Sequence, residues 1–420
     1  MGKDAGLSNG RCRCDRVTRR QVVAGAGVSA LALAGVTPFP SARPFAPQRA
    51  AAQDAYEVAV IRWDPADIYF NGVQLGQELE RQRIEQAEGV TINFTVVAAN
   101  DAAEQIDGLN AQLARGVDGV MIAPWRGEAM RAVVSQMREQ GIPVVTHNAV
   151  VPEAPQVFVA FDNVEAGALA GQRIVERLEQ LRGSDWASQG GVLIELRCII
   201  TASFDIGRYT GWRSVVEPIL AENPNLRTEV REAGCDGGEA RKAVDDLITR
   251  YGEEVLAVFS VDGTMGVGGA VPALDARGML LPPDDPKHVP IGTVDATTPE
   301  LQAIARGQTD HASVQPAIGE GTLSMRLLYQ MMRSGQIIES AEAAATPVAM
   351  ATPEGESQET WHPVEVQAGE NFDGPWYKLN VVGVPGDLEP NDHRLWANFV
   401  VQQETGEWPD NGEGAVEAGA

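Results

Sequence analysis

The sequence predicts an α/β protein made of two doubly wound parallel sheets, and three observations carry that prediction. Strand-like apolar runs alternate strictly with helix-period segments from Tyr56 onward. The alternation runs through once and then restarts near residue 190 with a run of similar length. The 420 residues also exceed what one hydrophobic core usually spans, so two lobes are expected. Strict β/α alternation makes the sheets parallel and covers both their faces with helices.

The elements follow in order. "YEVAVIRW" is the first strand, and "YFNGVQLGQELERQRIEQAEG" is a helix stopped by its final Gly. "VTINFTVV" leads to the helix "DAAEQIDGLNAQLARG", where Asp101 and Glu104 fit a capping box. "VDGVMIAP" precedes the helix "EAMRAVVSQMREQG", then "IPVVTHN" and "QVFVAFD" are strands, and "NVEAGALAGQRIVERLEQLRG" is a long helix. The second run opens with "GVLIELRC" and the helix around "GRYTGWRSVVEPILAEN". "LRTEVREAG", "VLAVFSV", "HVPIGTV" and "DHASVQ" are its further strands, each followed by a helix. Asp236 and Glu239 offer a second capping box. Residues 337–370 lose this regularity around an acidic, Ala/Thr-rich insert; residues 371–403 are apolar enough to pack on a lobe. From about Glu404 the acidic, Gly-rich tail is expected to be disordered.

Charge separates the N-terminus from the rest. The chain carries a net −25, yet residues 1–52 hold eight Lys/Arg against Asp4 and Asp15, a net of +6. Within them a basic "RCRCDRVTRR" precedes an apolar, uncharged stretch too short for a comfortable membrane span. "TRRQVV" resembles a twin-arginine export signal, and "RAAAQ" offers small residues for cleavage after Ala52. Extracytoplasmic location follows as an expectation. The remainder, at −31, lacks the basic face that a nucleic-acid partner would require. Cys12 and Cys14 would leave with the signal, and Cys198 and Cys235 would then sit where a disulfide is permitted. Neither lies in a cluster with His or a second Cys, so no metal is expected.

The chain carries no G-x-S-x-G elbow, H-E-x-x-H or phosphate-loop signature. The glycines of "GTMGVGG" fall inside a helix, where close packing accounts for them, and the five His are scattered. Neither an enzyme nor a cofactor is expected. What recurs instead is a polar or aromatic residue just after a strand: Asp64 and Asp67, Trp125 and Arg126, His147 and Asn148, Asp162 and Asn163, Phe204, Asp205 and Arg208, Asp262, Asp295 and Gln315. Taken singly, the Asp residues at 162, 262 and 295 read as helix caps. Taken together, the set converges on the strand ends where doubly wound sheets hold ligands. Carboxylates, amides and one guanidinium, with Trp63, Tyr69, Phe70, Trp125 and Phe204, suit a neutral, hydroxyl-rich ligand. Trp212 and Tyr209 read as packing residues.

With "VDGVMIAP", "GIPVVTHN", "VAFDNVEAGALAG", "GRYTGW", "AVFSVDGTMGVGGAVPAL", "PIGTVDATTPE" and "VQPAIGEG", the sequence resembles the ribose- and galactose-type periplasmic solute-binding proteins of ABC importers, type I fold. The resemblance spans about residues 56–337. It implies two lobes joined by a three-segment hinge that close on a sugar, with "HPVEV" as the final hinge strand. It implies an N-terminal lobe of residues 54–161 plus 316–345, a C-terminal lobe of 162–315, and a hinge strand with extension over 346–403. It further implies that Asp67, Tyr69 and Phe70 hold and stack the sugar, that Arg208 grips its oxygens, and that Asp295 and Gln315 complete the set. Trp125, Asn148 and Phe204 join them from the strand-end pattern. Asp262 stands where the ribose type has Asn, Asn148 and Ala149 where it has Asp and Arg, and Cys235 where it has a stacking aromatic. A Cys198–Cys235 bridge is implied, because the two residues end strands that the fold makes parallel neighbours. The implied protein is a monomer that delivers a sugar or polyol to a membrane permease. A ligand-binding component of a chemosensory system would carry the same cleft.

Overall fold

The computed structural model describes residues 55–63, 66–344 and 363–411. The expected export segment, Asp64, the bulk of the acidic insert and the last nine residues lie outside the described residues. The first sheet takes five parallel strands, β1 (Ala55–Arg62), β2 (Thr91–Ala98), β3 (Gly119–Ile122), β4 (Val144–His147) and β5 (Val157–Phe161), from the first βα run. Two late strands, β11 (Pro363–Ala368) and β12 (Pro375–Leu379), extend it to the order β11-β12-β5-β4-β3-β1-β2. Only the β11–β12 pair is antiparallel there. The second sheet joins β6 (Gly191–Arg197), β7 (Leu226–Glu232), β8 (Val255–Ser260), β9 (Ile291–Asp295) and β10 (His311–Val314) in parallel. The short β13 (Val382–Val384) closes it antiparallel, in the order β13-β10-β9-β8-β6-β7.

Each sheet turns back on itself at its first strand: β1 lies between β2 and β3, and β6 between β7 and β8. The chain therefore leaves neighbouring strands toward opposite faces, which opens a crevice at their carboxyl ends. Helices α1 (Ile68–Glu88), α2 (Ala102–Arg115) and α3 (Gly127–Glu139) serve the first sheet. Helices α4 (Asn163–Arg182), α5 (Ser203–Glu222) and α6 (Gly237–Tyr251) serve the second. After β8 the chain forms α7 (Gly263–Met265), a π-turn at Gly266–Ala270 and α8 (Val271–Ala276); α9 (Thr298–Ala305) follows β9. Helix α10 (Ala317–Ser334) returns to the first sheet and packs on β3, β4, β5 and α1. The short α11 (Ala341–Ala344) precedes the undescribed insert, and α12 (Trp396–Thr405) is the last helix among the described residues. Gly321 lets α10 lie directly on α1, because a methyl there would run into the Val73 carbonyl.

The chain passes between the lobes after Phe161, after Val314 and after Leu379. The last passage corrects the expectation for "HPVEV": its residues 363–366 lie in β11, paired antiparallel on the outer edge of the first sheet. The strand that reaches the hinge is β12, which can do so because it pairs parallel with β5 and then turns at Asn380 into β13. A second correction concerns the tail. Residues 404–411 are ordered, because Asn411 is buried and donates to the Pro390 carbonyl at 3.0 Å and to Asn398 Oδ1 at 2.8 Å. The interior of β6 is wholly buried, and its Glu195 is held by Trp212 Nε1 at 2.8 Å and Arg213 at 3.0 Å. Trp212 stacks on Phe259 at 4.7 Å, the packing role expected for it. No helix among the described residues is long and apolar enough to cross a membrane.

Candidate functional site

The strand ends of both sheets converge on one cavity of about 620 Å³. All ten of the expected ligand residues line it: Asp67, Tyr69, Phe70, Trp125, Asn148, Phe204, Arg208, Asp262, Asp295 and Gln315. Their local positions follow from the fold. Asp67 caps α1, accepting from Phe70 N at 3.3 Å, which sets Tyr69 and Phe70 on the first helical turn. Asp262 caps α7 through Met265 N at 2.8 Å. Asp162 caps α4 through Val164 N and Glu165 N and does not line the cavity. Asp295 is not a cap: the N-cap of α9 is Thr297, whose hydroxyl and backbone N–H both donate to the Glu300 carboxylate. Its carboxylate instead accepts from Arg208 and from Gly263 N. Phe204 and Arg208 lie on the first turns of α5. That helix meets α4 backbone to backbone at Gly211, where a methyl would strike the Val164 carbonyl.

One wall is aromatic. Trp63 sits at its centre, 4.4 Å from Trp125, 5.1 Å from Phe70 and 6.0 Å from Phe204 between ring centroids. Flat faces of this kind cover the C–H surfaces of a ring or polyol chain. The sequence placed Trp63 among the aromatics of the cleft but gave no sign of its central position. The support behind Trp125 was also missed. Buried Gln105 accepts from Trp125 N at 2.8 Å and donates to the carbonyls of Arg62, Ala99 and Ala123, tying together the ends of β1, β2 and β3. A lone Gln in a helix pattern gave no signal for this.

The polar part of the lining is centred on Arg208, which is only 2% exposed and lies over the Phe204 ring at 5.1 Å. Its Nε donates to Asn163 Oδ1 at 2.9 Å, and Nη1 donates to the Val261 carbonyl at 2.7 Å and to Asp295 Oδ1 at 3.0 Å. Nη2 donates to Gln315 Oε1. Four of the five guanidinium N–H groups are thus engaged by the protein. The arginine that the sequence suggested as a fork for ligand is first the knot of the second lobe. Gln315, on the passage from β10 to α10, also donates to Tyr69 Oη at 2.7 Å and Asn148 Oδ1 at 3.1 Å. Tyr69 in turn donates to the buried Glu320 at 2.6 Å. Residues of both lobes therefore share one hydrogen-bonded chain, and Glu320 belongs to it although the sequence did not single it out.

The electrostatics follow from burial. Asp67, Asp236, Asp262 and Asp295 line the cavity, and Arg208 is the one cation among the described lining residues. Burial, then the charge of Asp295, pushes Asp262 up to about 7. Burial raises Asp295 and Asp67 adds to it, while Arg208 pulls the other way. Burial raises Glu320 to about 7, and it raises Tyr69 well above the ordinary phenol value, with Glu320 adding to that shift. A protonated carboxyl can donate as well as accept, which suits a hydroxyl that does both. His147 lies behind Phe70, buried and pushed down to about 3 by desolvation; neither ring nitrogen has a partner, and it does not line the cavity. Cys198 and Cys235 form a disulfide with Cα atoms 4.5 Å apart, joining the ends of β6 and β7, and Cys235 lines the cavity. Asn148, Cys235 and Asp295 all adopt positive φ (63°, 60° and 130°), so backbone strain gathers at this site.

Residues 58–336 match a family model described as periplasmic binding protein domain. The chain is 26% identical over 221 residues to the xylitol-binding protein of Mycolicibacterium smegmatis, covering 52% of this chain and 57% of that protein. It is 25% identical over 230 residues to the D-xylose-binding periplasmic protein of Escherichia coli, covering 53% and 64%. The match thus spans under two thirds of either relative. Among solved structures, the sugar-binding protein of a sugar ABC transporter from Bacillus halodurans superposes with a TM-score of 0.56, over 68% of this chain and 90% of that one, at 19% identity. That is a likeness in fold.

Proposed function

The chain belongs to the periplasmic binding protein family, and from that premise we propose that it captures a sugar or polyol outside the cytoplasm and delivers it to an ABC permease. One observation carries the reading: residues from the carboxyl ends of strands in both sheets line a single cavity that combines aromatic rings with hydrogen-bonding groups. Asp67, Tyr69, Phe70, Trp125 and Asn148 would hold the ligand from the first lobe. Phe204, Arg208, Asp262, Asp295 and Gln315 would hold it from the second. The remaining N–H of Arg208 and the raised carboxyl of Asp262 would meet ligand hydroxyls; the aromatic wall would cover its C–H faces.

Contacts to both lobes favour closure about the three crossing segments, and a permease would then read the closed shape. The site would act without turnover, since no nucleophile with an adjacent base lines it among the described residues. The basic, twin-arginine-like N-terminus would export the folded protein, and changing Arg19 and Arg20 together to Lys would leave it in the cytoplasm.

The test is thermal shift of the mature protein against pentoses, hexoses, pentitols and cyclitols, followed by calorimetry. A ligand held only by the native state raises the melting temperature. No shift with any of these compounds overturns the reading.

A further inference from the structure

The family match ends at residue 336, and the C-terminal segment beyond it reaches back to the cavity from behind. Trp396, the first residue of α12, is wholly buried and does not line the cavity. Its Nε1 donates to the backbone carbonyl of Asp295 at 3.1 Å. Its ring stands edge-on to Tyr69, with centroids 6.0 Å apart at 87°. A methyl at Gly72 would lie 2.8 Å from its Cε3, so α1 rests directly on the indole. One side chain from the C-terminal segment thus touches a cavity residue of each lobe.

The carbonyl it holds sits at a strained place. Asp295 and Ala296 both have positive φ, 130° and 58°, and the peptide unit between them carries that carbonyl. Such conformations persist only where the surroundings over-determine them. Two donors fix this peptide plane: Gln315 N at 3.3 Å and Trp396 Nε1. The plane in turn sets the direction of the Asp295 side chain, which pairs with Arg208.

The segment that delivers Trp396 is itself braced. Asp387 Oδ2 accepts from Gly383 N at 2.8 Å beside β13, and Asn398 Nδ2 donates to the carbonyls of Pro390 and Asp392 at 2.9 Å each. Leu395, Trp396, Phe399 and Val400 join the same apolar cluster as Trp63, Tyr69 and Phe70.

Resting on the sugar-binding reading above, we propose that Trp396 is a positioning residue for that site: through its N–H it holds the Asp295 backbone, and through its ring it holds Tyr69, so the C-terminal segment is part of the binding machinery.

The test is calorimetric titration of the full-length mature protein with D-xylose, xylitol, D-ribose and myo-inositol. Trp396→Phe keeps a ring in the slot and removes the N–H. It should weaken Kd by about three- to tenfold, the range of one lost hydrogen bond, while the melting temperature stays within about 3 °C. Val134→Ala, wholly buried on α3 in a different apolar cluster and not lining the cavity, should lower the melting temperature and leave Kd unchanged. Trp396→Ala should degrade both. A purely structural Trp396 would move Kd only with stability, so a Trp396→Phe protein that binds with wild-type affinity overturns this inference and leaves the sugar reading standing. A wild-type protein that binds none of the four, nor any hexose of the thermal-shift series, overturns that reading and this inference with it; a hexose that does bind replaces the four in the same titration.

Discussion

Replacing Arg208 by Ala should destabilise the protein in a pH-dependent way. The guanidinium is 2% exposed and makes four hydrogen bonds, to Asn163, Val261, Asp295 and Gln315. Its removal leaves the Asp295 carboxylate buried beside Asp262 with its cation gone. Breaking a buried ion pair from one side costs about 3–5 kcal/mol, so Arg208→Ala should lose about that much at pH 8. In the wild type burial raises Asp295 and Arg208 offsets it; without Arg208 the carboxyl takes a proton near neutrality. A folded-state carboxyl raised above its unfolded value binds protons more tightly when folded, so stability falls as pH rises through that window. The deficit should therefore shrink to about 1–2 kcal/mol at pH 5, where Asp295 is neutral and only unmade neutral hydrogen bonds remain. Adding Asp295→Asn should recover most of the loss at pH 8. Urea unfolding followed by circular dichroism at both pH values reads this out. A single variant within about 1 kcal/mol of wild type at pH 8, or an equal deficit at both, refutes the view of Arg208 as the knot of the second lobe.

Asp262 gives a second pH effect. Raised from 3.8 to about 7 when folded, it should make stability decline between about pH 4 and 7 and level off above. Asp262→Asn keeps a capping side chain, and its stability advantage over wild type should be about 2–3 kcal/mol greater at pH 8 than at pH 5; an equal difference at the two pH values would rule this out. The Cys198–Cys235 bridge closes a 37-residue separation. Its loss in a Cys198→Ser, Cys235→Ser protein should cost about 3–4 kcal/mol in denaturant unfolding, and a cost near zero would contradict the loop-closure account. Gly321→Ala puts a methyl against the Val73 carbonyl and should cost about 1–3 kcal/mol; an unchanged unfolding midpoint would show that α1 and α10 slide apart freely.

The βα rhythm was legible because period-2 and period-3.6 patterning belongs to single elements, and the caps and stopping glycines mark their ends. The cavity residues were legible as a set because doubly wound sheets bring their strand ends together, so position after a strand is a spatial statement. Roles were less legible. Asp295 looked like one more cap, yet a hydroxyl two residues later caps α9, which leaves its carboxylate for Arg208. "HPVEV" looked like the hinge strand, and β12 took that place, because edge pairing depends on which apolar strand finds β5.

The sequence by itself determined two α/β lobes, the strand-end side on which a ligand would sit, and its chemical character, since these follow from local periodicity and residue type. Only the tertiary structure decided what stands behind those residues. Gln105 beneath Trp125, Glu320 beneath Tyr69 and Trp396 beneath Asp295 lie 20, 251 and 101 residues from their partners. Contacts across such distances leave no mark on local patterning. They arise when separate elements, each folded for its own reasons, bury the same polar or aromatic atom and must satisfy it together.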